Sequence, residues 1–193
     1  LIHDEMKLHF HEPVDSVMHL LRQIPTELVD LEVAMNVRCL HHALLSITFA
    51  QLLASLSKLE TLKLCFLGSY DGPAFYVGPR AEAARPLSLA EIVGRVPARL
   101  KLLRLHFVWC HFPKFYLEGF FGMLTQKQSD LEHLHFIMHQ CNFDSSPHLI
   151  LPRGLRCCHF SIFSVDGIDF LSLEFPSNLV SLLVQWFDCH WPI

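Results

Sequence analysis

Fourteen histidines and seven cysteines stand in a chain of 193 residues. These are the side chains best suited to hold a transition metal or to move a proton near neutral pH. The densest group is His133 and His135 in "SDLEHLHFIM", with Cys157 and His159 in "LRCCHF". On neighbouring strands these four would form a rectangle. Side chains two apart on one strand lie roughly 6–7 Å apart, and cross-strand neighbours lie closer. Zinc takes His and Cys in a tetrahedron, so the geometry is conceivable for a metal cluster. It is not specific, because so many histidines make clusters by chance. We read the group as a polar binding surface with incidental histidines, and expect no metal. The fragments "LHFHE" (Leu8–Glu12), His41–His42 and Cys110–His111 fit no ligand spacing.

Other chemistry leaves no signature. The chain has no G-x-S-x-G, no Gly-rich phosphate loop, no H-E-x-x-H and no catalytic Cys motif. Asp166 and Asp169 in "SVDGIDF" read as a solvated turn rather than an acid–base pair. No enzyme activity and no cofactor are expected. The odd cysteine count, without a C-x-x-C pair, argues against a disulfide framework and for a reducing compartment, cytoplasmic or nuclear.

What positions the His/Cys block is a short phrase that recurs. "LETLKL" starts at Leu59, "LKLLRL" at Leu100 and "LEHLHF" at Leu131; weaker copies start at Leu28, Leu155 and Leu179, and the weakest at His3. Successive starts lie 25, 31, 41, 31, 24 and 24 residues apart, so one repeat is longer than the rest. Its excess falls in the Gly- and Pro-rich stretch 68–86, read as an inserted loop. Each phrase alternates with period two, as a strand with one buried face does. Positions 1, 4 and 6 of each phrase are then core positions, including Leu62, Leu64, Leu103, Leu105, Leu134, Phe136, Phe160, Leu182 and Val184. Helix-like stretches separate the phrases at Asp15–Gln23, Leu40–Leu56, Ser88–Val96 and Phe115–Gln126. Ser88 and Glu91 make a capping box. The last two repeats leave no room for a helix. Strand and helix in alternation give parallel strands joined by crossovers, hence an α/β fold.

The phrase L-x-x-L-x-L at these spacings resembles the leucine-rich repeat superfamily, over essentially the whole chain. Asn36 sits where that family's asparagine belongs, but the equivalent places hold Leu67, Val108, His139, Phe163 and Phe187. The array is therefore irregular, similar to the repeats of F-box-type adaptor proteins. The resemblance implies a solenoid of about seven irregular repeats in one domain spanning 1–193; the lack of an initial Met and of a polar cap at the end leads us to expect that it is part of a longer chain. The resemblance also implies a non-catalytic scaffold that binds a protein partner. An alternative is the substrate-recognition region of an F-box-type ubiquitin ligase adaptor. "IPTELVDLEV" (Ile24–Val33) resembles the opening of an F-box, yet it fits the repeat register and is read as a strand after a Pro turn.

In this register positions 3, 5 and 7 point outward and stack into ladders. Glu32, Lys63, Arg104, His133, His135 and His159 are the expected partner-binding residues, with Arg104 as anchor. Histidines acting as cations would favour an acidic partner. The formal net charge of −4 and the lack of a basic run argue against nucleic acid. The charge-free run Cys39–Ser57 holds too many polar residues for a membrane span and reads as a buried helix. The C-terminal "WPI" follows the last strand without a polar cap, so an open end could join a larger complex.

Overall fold

The computed structural model describes residues 5–10, 14–36, 42–68, 75–76, 88–165 and 171–187. The insert at 68–86 lies outside them except at Gly68 and 75–76, and Asp166 and Asp169 lie outside them altogether.

The elements run β1 (Glu5–Phe10), α1 (Val14–Arg22), β2 (Asp30–Asn36), α2 (Ala43–Ser55), β3 (Thr61–Leu67), β4 (Phe75–Tyr76), α3 (Leu89–Val93), β5 (Leu102–Val108), β6 (Cys110–Phe112), α4 (Tyr116–Lys127), β7 (His133–His139), β8 (Asn142–Phe143), β9 (His148–Ile150), β10 (Cys157–Phe163), β11 (Ser172–Glu174) and β12 (Ser181–Phe187). The fold is α/β. Seven strands form one sheet in the order β1-β2-β3-β5-β7-β10-β12. Every pairing in it is parallel. Each recurrent phrase is a strand of this sheet, and phrase positions pair one for one: Leu62 faces Leu103, Leu103 faces Leu134, and Leu134 faces Cys158.

Two backbone devices repeat along the sheet. Where strands begin, the carbonyl at phrase position 2 accepts two N–H groups from the next repeat. Glu60 O serves Lys101 and Leu102, Lys101 O serves Glu132 and His133, and Glu132 O serves Arg156 and Cys157, all within 2.9–3.0 Å. Where strands end, Trp109, Gln140 and Ser164 adopt φ of 53°, 52° and 48°. Each donates its N–H to the final carbonyl of the following strand, at 2.9 Å. A non-Gly residue rarely adopts this left-handed conformation; here the inter-repeat hydrogen bond holds it. The turn carries the chain out of the large sheet into a smaller one of order β4-β6-β8. There Cys110 Sγ reaches Val108 O at 3.4 Å and Phe66 O at 3.7 Å, and Cys141 Sγ reaches His139 O at 3.5 Å and Phe107 O at 3.6 Å. These thiols tie neighbouring turns together.

The core lies between one face of the large sheet and the helices. Leu62, Leu64, Leu103, Leu105, Leu134, Phe136 and Phe160 are buried, as their alternation predicts. Position 8 also points inward and carries Phe66 and Phe107, stacked 5.2 Å apart. Phe107 continues to Phe112 and Phe136, and Phe121 bridges Phe136 to Phe160. Each fully buried aromatic contributes roughly 1.5–3 kcal/mol of burial, and each well-set pair roughly 0.5–1.5 kcal/mol more. The helices follow their sequence signals. Ser88 caps α3, its hydroxyl accepting from Glu91 N–H while the Glu91 carboxylate accepts from Ser88 N–H. That helix stops at Gly94, earlier than Val96, because single-turn bonds replace the α ladder at Arg95 and Val96. The run expected over Leu40–Leu56 is a helix at Ala43–Ser55 with Leu45, Phe49, Leu52 and Leu53 buried. No helix among the described residues is long and apolar enough to cross a membrane.

Leu182 and Val184 depart from expectation. Predicted to be buried, they are 46% and 45% exposed. Their side chains occupy the core rows, but β12 pairs only with β10. Among the described residues no further strand or helix covers them, so the alternation sets their direction without burying them.

Candidate protein-interaction surface

The face opposite the helices carries phrase positions 3, 5 and 7, as the register predicts. Glu32, Lys63, Arg104, His135 and His159 stand in one row, each the direct partner of the next. His133 stands in the adjacent row, between Leu102 and Cys157. The six expected binding residues therefore share one continuous surface across β2, β3, β5, β7 and β10.

Electrostatics divides that surface. Over β1–β3 the charges satisfy each other. Lys63 Nζ sits 2.8 Å from Asp30 Oδ2, while Lys7 Nζ lies 3.2 Å from Glu5 and 3.8 Å from Glu32. The hydrogen bond that Lys7 donates to Glu5, then the charges of Glu5 and Glu32, push the Lys7 ammonium pKa up. Arg104 is exposed, and among the described residues it has no ion-pair partner.

Over β5, β7 and β10 the surface changes to imidazole. The His135 and His159 rings lie 5.5 Å apart, edge to face. Burial, then His159, Arg104 and His133, pulls the His135 pKa down. Burial, then Arg104 and His139, does the same to His106, whose Nδ1 lies 3.7 Å from Cys65 Sγ. Burial is also the main reason that the Cys65 thiol is pushed up, so this pair is held as thiol and neutral imidazole. His159 Nε2 lies 2.8 Å from Ser161 Oγ, and the Ser161 hydroxyl donates to Gln185 Oε1 at 2.9 Å. His159, Ser161 and Gln185 thus form one hydrogen-bonded run across β10 and β12 on the outward face. Among the described residues no group of three or more His, Cys, Asp or Glu side chains is arranged to hold a metal ion. The rectangle of His133, His135, Cys157 and His159 forms as two cross-strand pairs, without converging on a point. At the strand ends His139 lies tilted against Phe163 at 5.9 Å, and Phe163 stacks on Phe187 at 5.0 Å.

A second feature escaped the outward-ladder reading. At the strand starts Glu60, Arg99, Lys101, Glu132 and Arg156 line an open cleft of about 500 Å³. Glu60 binds Arg99 at 2.7 Å and Lys101 at 2.8 Å; the bond from Lys101, then that from Arg99, holds its carboxyl below the usual range. The signal was available at phrase position 2, which reads Glu60, Lys101, Glu132, Arg156.

Comparison of the chain with protein-family models, with curated proteins and with solved structures finds no match.

Proposed function

We propose that this chain is a non-catalytic scaffold of leucine-rich-repeat type that binds a protein partner on the outward face of its large sheet. The observation that carries the reading is the one-for-one parallel register of seven strands taken in chain order. Such a register is what a solenoid requires, each repeat resting on its neighbours and presenting side chains on a rigid backbone, and it supports the reading. The thiols of Cys110 and Cys141, two residues past Val108 and His139 at the family's asparagine position, tie neighbouring repeats through backbone carbonyls and so accord with the reading. The five free cysteines among the described residues, Cys65, Cys110, Cys141, Cys157 and Cys158, suit a reducing, intracellular setting.

The test is site-specific photo-crosslinking in source lysate. A crosslinker at His135 should capture a partner that one at Leu44, exposed on the helical side, does not. Capture from position 44 alone would move the interface to the helices and defeat the reading. A second reading, assembly into a larger complex through β12, is favoured by the exposure of Leu182, Leu183 and Val184. Size-exclusion chromatography tests it, and a concentration-independent monomer would defeat it.

A further inference from the structure

We propose that the outward surface of β5, β7 and β10 is a docking site for an acidic segment of a partner protein, held by Arg104 and five histidines and tightened as those histidines protonate. The proposal rests on the scaffold reading and names the partner's chemistry. The outward positions of these strands hold Arg104, His106, His133, His135, His139 and His159 and no carboxylate. The carboxylates of the same face, Glu5 on β1 and Asp30 and Glu32 on β2, lie in the other half and are engaged by Lys7 and Lys63. Nothing anionic among the described residues of this half therefore answers Arg104, whose planar fork suits a carboxylate.

The groups that bear on the imidazoles are of one sign or neutral. From β3 they are Lys63 and Cys65, from β5 Arg104, and from β10 Cys157 and His159. β12 presents Ser181, Leu183, Gln185 and Phe187, none of them charged. Glu132 precedes His133 but lines the cleft at the strand starts. Near neutral pH the surface thus carries the Arg104 charge, and any charge its imidazoles gain on acidification meets no carboxylate at the outward positions of these strands. A carboxylate-rich segment supplies the counter-ion, so binding and proton uptake are coupled. The rigidity of the array favours such a partner, because the positive groups cannot disperse.

The probe is a labelled sixteen-residue Asp-Ser repeat peptide, whose carboxylates stay ionised near pH 5.5. Its affinity for the whole chain is measured by anisotropy at fixed, low ionic strength. Affinity should rise about tenfold or more between pH 7.5 and pH 5.5. Calorimetry in two buffers should show at least one proton taken up per complex. The variant Arg104→Gln/His135→Gln/His159→Gln, which keeps three of the five histidines, should bind more weakly and show a clearly smaller rise. The variant His19→Gln/His148→Gln, altered away from the sheet face by a similar titratable charge, should keep the full rise. Because a triple variant can lose its fold, the wild-type histidine ring resonances are also followed: His135 and His159 should move on peptide addition while His19 and His148 stay. Equal behaviour of the two variants, movement of all rings alike, a pH-independent affinity, or no binding at pH 5.5 would each overturn the proposal. Crosslinking from position 135 that survives such a result would leave the scaffold standing with a partner of different chemistry.

Discussion

At the residue scale, the strongest constraints are side chains with no room to change. Leu103 is fully buried at the centre of the sheet, so Leu103→Ala should cost about 2–5 kcal/mol. Urea unfolding checks this, and a loss under about 0.5 kcal/mol would place Leu103 on the surface. Gly154 is constrained from outside: a Cβ there would lie 2.2 Å from Ser129 O. Gly154→Ala should therefore cost about 1–3 kcal/mol by the same measurement, the usual penalty of overpacking. The histidines act through pH. His135 and His106 have pKa values lowered in the fold, chiefly by burial, and return to about 6.5 when the chain unfolds. The unfolded state then binds more protons as the pH falls. Their contribution to stability is complete above about pH 6.5 and is lost as the pH drops through the lowered folded values. The urea midpoint should fall on acidification from pH 7 to 5. In His135→Gln/His106→Gln the fall should be smaller; an unchanged slope would mean that other groups govern it. Burial and pairing of these residues were only partly legible in advance. The alternation told which way Leu103 points, but no local pattern told that Lys63 meets Asp30 on another strand.

At the element scale, α3 shows how little intrinsic propensity a repeat needs. Five residues cannot form a stable helix alone. Leu89–Val93 holds because the Ser88–Glu91 box satisfies its first N–H groups, Leu89 N–H is accepted by the Tyr116 hydroxyl of α4 at 3.0 Å, and Leu89, Ile92 and Val93 are buried. Ser88→Ala should lower stability by about 1 kcal/mol, read as a shift in urea midpoint. No shift would mean that burial alone sustains the turn. The box was legible from four residues of sequence because both of its bonds are local. The left-handed turns at Trp109, Gln140 and Ser164 were not. None of these is a residue that favours positive φ, and each conformation is set by a carbonyl one repeat away. The cysteine ties at Cys110 and Cys141 were missed for the same reason: they sit beyond the strand, after a turn whose direction local preference does not encode.

At the scale of the whole molecule, stability should be graded along the array. Each strand of the large sheet contacts only its neighbours, so opening from an end breaks one interface and opening from the middle breaks two. Amide exchange should be fastest in β1 and β12 and slowest in β3, β5 and β7. Uniform protection across all seven strands would mean that the array opens as one unit. The same gradient makes Leu182→Ala cost about 1 kcal/mol or less, against the larger loss at Leu103, since a half-exposed side chain removes little surface from water.

The sequence by itself determined the strands, their register and the face each side chain takes. Period-two alternation is a local code: Leu62, Leu64, Leu103 and Leu105 state their direction from their immediate neighbours, and recurrence of the phrase aligns one repeat with the next. The tertiary structure decided whatever depends on groups distant in the chain. It pairs Lys63 with Asp30 and Lys7 with Glu32, leaves Arg104 among imidazoles, and leaves Leu182 and Val184 half-exposed. Those outcomes turn on which repeat lies beside which and on what covers the last strand, and burial and charge neutralisation are properties of that surrounding volume rather than of any stretch of chain.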